Sequence, residues 1–276
     1  MKCVNTIEQF IQLLTYIFLG ALQGFTEPLP ISSSGHLIIF RELFHIEASG
    51  LSFEIIVHFG SLLAVIALYR KEITTLLRES FVFMTTRHEQ YKKSFQYVFY
   101  LLLATFMTGS IGLLIEPFIS TQLVNIRYIG YSLIVTGIFL WIIRRLHGYK
   151  TDTTITWKEA CIIGLLQTLA LIPGISRSGV TIVVAMLLGF KRETAIRFSF
   201  LLYIPVTFGI QLLSLQTIIQ DTLFHKNFIL YTVAFLTAII TTYVALKWFI
   251  SVMLHGRLII FTLYCCALGL LLILVT

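Results

Sequence analysis

Residues 20–35 read GALQGFTEPLPISSSG and residues 164–179 read GLLQTLALIPGISRSG. The two stretches follow one pattern offset by 144 positions: Gly20 with Gly164, Leu22 with Leu166, Gln23 with Gln167, Ile31 with Ile175, Ser32 with Ser176, Ser34 with Ser178 and Gly35 with Gly179. Each is an apolar run that breaks at proline and restarts at a serine-rich turn containing glycine. In a membrane protein, a broken helix repeated at corresponding positions of two halves marks where the substrate sits.

Composition places the chain in a membrane. Hydrophobic residues make up 57% of the 276 positions and charged residues 12%, with a mean hydropathy of +0.90, far from a soluble domain. The net charge of +7 does not point to nucleic acid, because the basic residues cluster in short segments between apolar runs, where membrane topology accounts for them. Cys3, Cys161, Cys265 and Cys266 show no metal-ligand spacing, and the last two read as small hydrophobes in an apolar run. The first apolar run carries Gln23 and Glu27 and joins directly to the first motif, so it is expected to be mature structure and not a cleaved signal.

A spanning helix needs about 20 apolar residues. Six stretches qualify: roughly 52–70, 94–115, 126–143, 194–219, 228–247 and 258–275. Residues 7–46, broken at Pro28 and Pro30, and residues 157–189, broken at Pro173-Gly174, are each too short for two spans. Each fits two half-helices that enter and leave by one face. With both hairpins re-entrant, fifteen Lys and Arg, from Arg70 to Arg257, fall on one side of the membrane, and only Lys2, Arg41, Arg127 and Lys226 on the other. That bias assigns the crowded side to the cytoplasm and both termini to the outside. Three spans separate the hairpins, so the second is inverted relative to the first and their tips can meet near the midplane. The expected architecture is therefore an all-α integral membrane protein of six transmembrane helices and two re-entrant helical hairpins. It forms one polytopic domain over 1–276, with repeat 1 at about 7–115 and repeat 2 at about 157–276. The mixed stretch 72–84 is expected to lie along the cytoplasmic interface.

The tips carry the chemistry. Serine is a favoured helix N-cap and proline or glycine suits the approach to one. Two helix N-termini that face each other make an anion site. Ser32, Ser34, Gly35, Ser176, Ser178 and Gly179, with Gln23, are the expected substrate-binding positions. Arg177 adds a fixed charge and a planar fork suited to phosphate oxygens. Glu27 follows Gln23 by four residues; a carboxylate beside an anion site makes sense as a ligand for a bridging divalent cation or as a proton carrier. Ser33 and His36 stand three apart at a helix start and can approach each other, the raw material of a nucleophile and its base. An isolated histidine at a helix end is also an ordinary hydrogen-bonding residue. Glu54 and His58 form an i, i+4 pair that would complete a metal site or support it.

The stretches QGFTEPLPISSSGH at 23–36 and PGISRSG at 173–179 resemble the two signature motifs of the undecaprenyl-diphosphate phosphatase family, also called the bacitracin-resistance family. FEIIVHFGSLLAV at 53–65 and RFSFLLYIP at 197–205 are similar to further family segments, so the likeness covers nearly the whole chain. It implies a multi-pass plasma-membrane phosphatase that removes the terminal phosphate of undecaprenyl diphosphate, recycles the carrier lipid of cell-wall synthesis and confers bacitracin resistance. It also implies Glu27, Ser33, His36 and Arg177 as the core site, and dependence on a divalent cation, Mg²⁺ or Ca²⁺. Gln23 falls where the family has glutamate or glutamine, and Pro28 where an aromatic residue is usual. The partners are then a polyprenyl diphosphate and the bilayer, with no nucleic acid; a homo-oligomer is compatible with the sequence. The serine–histidine hairpin enters from outside, so the reaction is expected on the outer face. The same architecture also suits a polyprenyl-phosphate transporter, which would bind the anion without cutting it.

Overall fold

The computed structural model describes residues 2–44, 51–122 and 125–276. Its elements are helices, with one isolated bridge between Lys150 and Phe190. In chain order the α-helices are α1 (Lys2–Thr26), α2 (Ser33–Leu43), α3 (Leu51–Thr86), α4 (Lys92–Gln122), α5 (Ile126–Ile143), α6 (Trp157–Gln167), α7 (Arg177–Leu187), α8 (Arg192–Leu213), α9 (Leu215–Gln220), α10 (Thr222–Lys226), α11 (Phe228–Leu254) and α12 (Ile259–Val275). Among the described residues five segments, in α3, α4, α5, α8 and α11, are long and apolar enough to cross a bilayer. Leu114, Ile229 and Phe106 are 80%, 75% and 68% exposed, as lipid-facing side chains are when the surrounding solvent is hydrocarbon.

Several expected boundaries move. The sixth expected span is α12, apolar but only 17 residues long. Its start is delayed by a turn at Gly256, whose φ of +73° ends α11. The first arm of the first hairpin is longer than a half-helix: α1 runs for 25 residues, because nothing breaks it before Pro28. The end of the second arm, at residues 45–46, lies outside the described residues. The stretch 72–84, expected along the cytoplasmic interface, is not set off from the helix before it. It continues α3, a helix of 36 residues, since no glycine or proline stands between Gly60 and Thr86.

The duplicated glycines show why the two halves fit together. A Cβ on Gly20 of α1 would lie 2.3 Å from the carbonyl oxygen of Ala234 in α11. A Cβ on Gly164 of α6 would lie 2.3 Å from the carbonyl oxygen of Ala104 in α4. Each hairpin's leading arm thus packs backbone to backbone on a long helix of the other half. Small residues at such crossings are how helices associate without a hydrophobic driving force. Gly20→Ala is expected to destabilise the protein by about 1–3 kcal/mol through overpacking. Gly109→Ala, with nothing within 4 Å of its position, serves as the control and should lose nothing. Unfolding in detergent checks both.

The second hairpin begins and ends at one place. Tyr149 and Lys150 donate their N–H groups to the Gly189 carbonyl, and Lys191 donates to the Lys150 carbonyl, each at 2.9 Å. Beside them Lys150 pairs with Glu159, and Arg197 pairs with Asp152 at 2.6 Å and Glu72 at 3.5 Å. The basic clusters around 150 and 191–197 therefore gather near Glu72 of α3.

Candidate active site

The two broken helices interlock at their tips. Ser32 caps α2, its Oγ accepting from Gly35 N–H at 3.3 Å, and Ser176 caps α7 in the same way through Gly179 N–H at 3.1 Å. Ser34 and Ser178 stand beside their caps, at 3.4 and 3.2 Å. Across the junction, Ser176 and Ser178 both donate to the carbonyl of Leu29, at 3.3 and 3.2 Å. Gly174 has φ +92° and presses against Ile129 and Ser132 of α5, where a Cβ would lie 2.8 Å from the Ile129 carbonyl oxygen; only glycine combines that backbone with that contact. The repeated serines and glycines thus build the junction and bring two helix N-termini together.

Where the copies diverge, functional groups meet. Glu27 and Arg177 lie 150 residues apart, yet Arg177 Nη2 donates to Glu27 Oε1 at 2.5 Å. Glu27 Oε2 accepts from Ser33 Oγ at 2.5 Å and from Gln23 Nε2 at 2.8 Å, and His58 Nε2 stands 3.4 Å away. The carboxylate is only 6% exposed, so it needs every one of these partners. Arg177 is fixed from behind: Nη1 donates to Thr207 Oγ1 at 2.8 Å and the guanidinium lies 4.2 Å from the Tyr203 ring centroid. A narrow cleft beside the pair is lined by Pro28, Val65, Ser199, Phe200 and Tyr203.

Gln23, Glu27, Ser33 and Arg177 therefore come together as expected. Of the other expectations, one does not materialise and one does so in part, through His58 alone. His36 does not turn to Ser33 in the described hydrogen bonds. Its Nδ1 bonds the Ser32 carbonyl oxygen at 2.7 Å and its Nε2 bonds the Tyr264 hydroxyl at 2.6 Å, because a histidine in the first turn reaches its own i−4 carbonyl most easily. Glu54 and His58 share a face of α3 but serve different neighbours. Glu54 pairs with Arg41 at 2.7 Å, while the His58 ring turns to Glu27, its Nδ1 held by the Glu54 carbonyl oxygen at 2.9 Å.

Tyr203, Thr207 and Tyr264 were not legible as site residues. For the first two a faint signal exists, since they are i, i+4 polar groups within an apolar span; for Tyr264 there is none.

Comparison with known proteins shows the family. Residues 16–271 match the family model described as "Bacitracin resistance protein BacA". The chain is 48% identical over 265 residues to undecaprenyl-diphosphatase 2 of Bacillus thuringiensis, covering 96% of this chain and 98% of that one. It is 49% identical over 258 residues to undecaprenyl-diphosphatase 1 of Halalkalibacterium halodurans, covering 94% of each. With the undecaprenyl-diphosphatase of Oceanobacillus iheyensis it shares 47% over 272 residues, covering 97% of this chain and 98% of its relative.

Proposed function

The chain belongs to the family of the bacitracin resistance protein BacA, and on that premise we infer that it is an undecaprenyl-diphosphate phosphatase. It is a multi-pass membrane enzyme that hydrolyses undecaprenyl diphosphate to undecaprenyl phosphate and inorganic phosphate, the step that recycles the cell-wall carrier lipid. The observation that carries the mechanism is the contact of a serine hydroxyl, a buried carboxylate and an anchored arginine at two helix N-termini.

In the reaction we propose, the Ser33 oxygen attacks the terminal phosphorus and its proton passes to Glu27 Oε2, which already accepts it in a hydrogen bond. A bond forms from Ser33 oxygen to phosphorus, the bridging P–O bond breaks, and undecaprenyl phosphate leaves with the electron pair. Water then attacks the phosphoserine. Glu27 returns a proton to the Ser33 oxygen, phosphate departs, and the proton lost by water goes to solvent. Arg177 exchanges Glu27 for the phosphoryl oxygens, held by Thr207 and Tyr203 so that little reorganisation is needed.

A divalent cation fits one part of the site. Among the described residues Gln23 Oε1 is buried without a hydrogen-bond partner beside the Glu27 carboxylate, a pair of hard oxygen donors of the kind Mg²⁺ uses together with substrate phosphates. Glu54, tied to Arg41, is not among them. Glu27 and Gln23 would hold the ion, and it would neutralise diphosphate charge. Chelation is expected to lower turnover at least about tenfold, with Mg²⁺ or Ca²⁺ restoring it; full activity in chelator would remove the ion from the account.

For the membrane arrangement we propose six spans and two hairpins as inverted repeats, with termini and site on the outer side. The joined ends of the second hairpin and the reciprocal packing of α1 on α11 and α6 on α4 support it. The function is tested by phosphate release from undecaprenyl diphosphate with purified protein in detergent, where no second compartment exists. Release supports the phosphatase; binding without release would make the protein a carrier.

A further inference from the structure

Ser32 is one of two described non-glycine residues with positive φ, at φ 67°, ψ 98°. Such a conformation persists only where its surroundings over-determine it, and it sits immediately before Ser33. The Ser32 carbonyl oxygen accepts twice from His36, from the backbone N–H at 3.2 Å and from Nδ1 at 2.7 Å. A carbonyl only accepts, so Nδ1 carries the hydrogen. In the neutral ring Nε2 is then the lone-pair nitrogen, and the Tyr264 hydroxyl, 2.6 Å away, donates to it. The two rings lie nearly parallel, 11° apart. Both imidazole nitrogens are therefore engaged, and neither is free to take a proton from Ser33. The next residue of α12, Cys265, reaches the Pro30 carbonyl oxygen at 3.7 Å, so one turn of the last helix grips the tip on both sides of Ser32.

We infer that His36 works as a brace and not as a base, and that Tyr264 is a positioning residue that locks the brace and so aims Ser33 at Glu27. The inference rests on the reading of Ser33 as the attacking group.

Phosphate release from undecaprenyl diphosphate by purified variants tests it. His36→Ala frees the Ser32 carbonyl and should lower kcat about 100-fold, the scale of a misplaced reacting group. His36→Asn keeps a donor near the position of Nδ1 and has no basic nitrogen; it should stay within about tenfold of the unmodified protein. Tyr264→Phe loses one hydrogen bond and should lower kcat about tenfold with KM and melting temperature unchanged. If His36→Asn is as inactive as His36→Ala, His36 is a base and the inference falls. Unchanged kcat in Tyr264→Phe removes Tyr264 from the machinery. An unmodified protein that releases no phosphate would instead overturn the enzymatic reading itself.

Discussion

Ser33→Ala is expected to lower phosphate release by roughly 10⁴-fold or more, the order seen when a nucleophile is removed from a preorganised site. Its hydroxyl donates to Glu27 and stands at the first residue of α2, where an attacking oxygen meets the carboxylate that can take its proton. Removing it leaves Arg177 and the helix ends to bind the diphosphate, so KM should change far less than kcat. Ser34→Ala is the matched control. Ser34 Oγ is only a 3.4 Å neighbour of the Ser32 cap, and its loss should cost no more than about tenfold. A Ser33→Ala protein with near-normal turnover would mean that water attacks phosphorus directly.

Arg177→Lys is expected to reduce kcat/KM by about 10²–10³-fold, despite the retained charge. The guanidinium uses three features at once: one nitrogen on Glu27, another on Thr207, and its flat face over Tyr203. An ammonium is a point charge with no plane and no fork, so it can satisfy the carboxylate but cannot hold the phosphoryl oxygens in register once they replace it. Thr207→Val should show a smaller loss in the same direction, about tenfold, because it removes one anchor and leaves the fork. The steady-state parameters of the two variants measure both effects. Equal activity of Arg177→Lys and the unmodified protein would reduce Arg177 to the structural partner of Glu27.

The duplicated motif makes the junction of the tips legible in the sequence alone. Arg177 stands at the repeat position of Ser33, and two half-sites that face each other bring those positions together. Glu27 was legible for the same reason, since a carboxylate in an apolar run must find a partner. Side-chain direction within a turn was not. The spacing of Ser33 and His36 permits an approach, but it permits equally the bond to the Ser32 carbonyl that the fold adopts. That choice is secured by Tyr264, 228 residues away, which no local pattern encodes. Glu54 and His58 show the same limit. Their shared face is a property of the helix, whereas the presence of Arg41 on one side and Glu27 on the other is a property of packing. The long α1 and the unbroken α3 also exceed the apolar runs that suggested them, because charge ends a hydropathy run without ending a helix.

The most direct test is a rapid quench of the purified protein with undecaprenyl diphosphate labelled in its terminal phosphate, followed by peptide mapping. The account predicts label on Ser33, absent from Ser33→Ala and accumulating in a variant that slows the attack of water. Released phosphate with no labelled protein at any time would contradict it, and would place the attack on water held between Glu27 and Arg177.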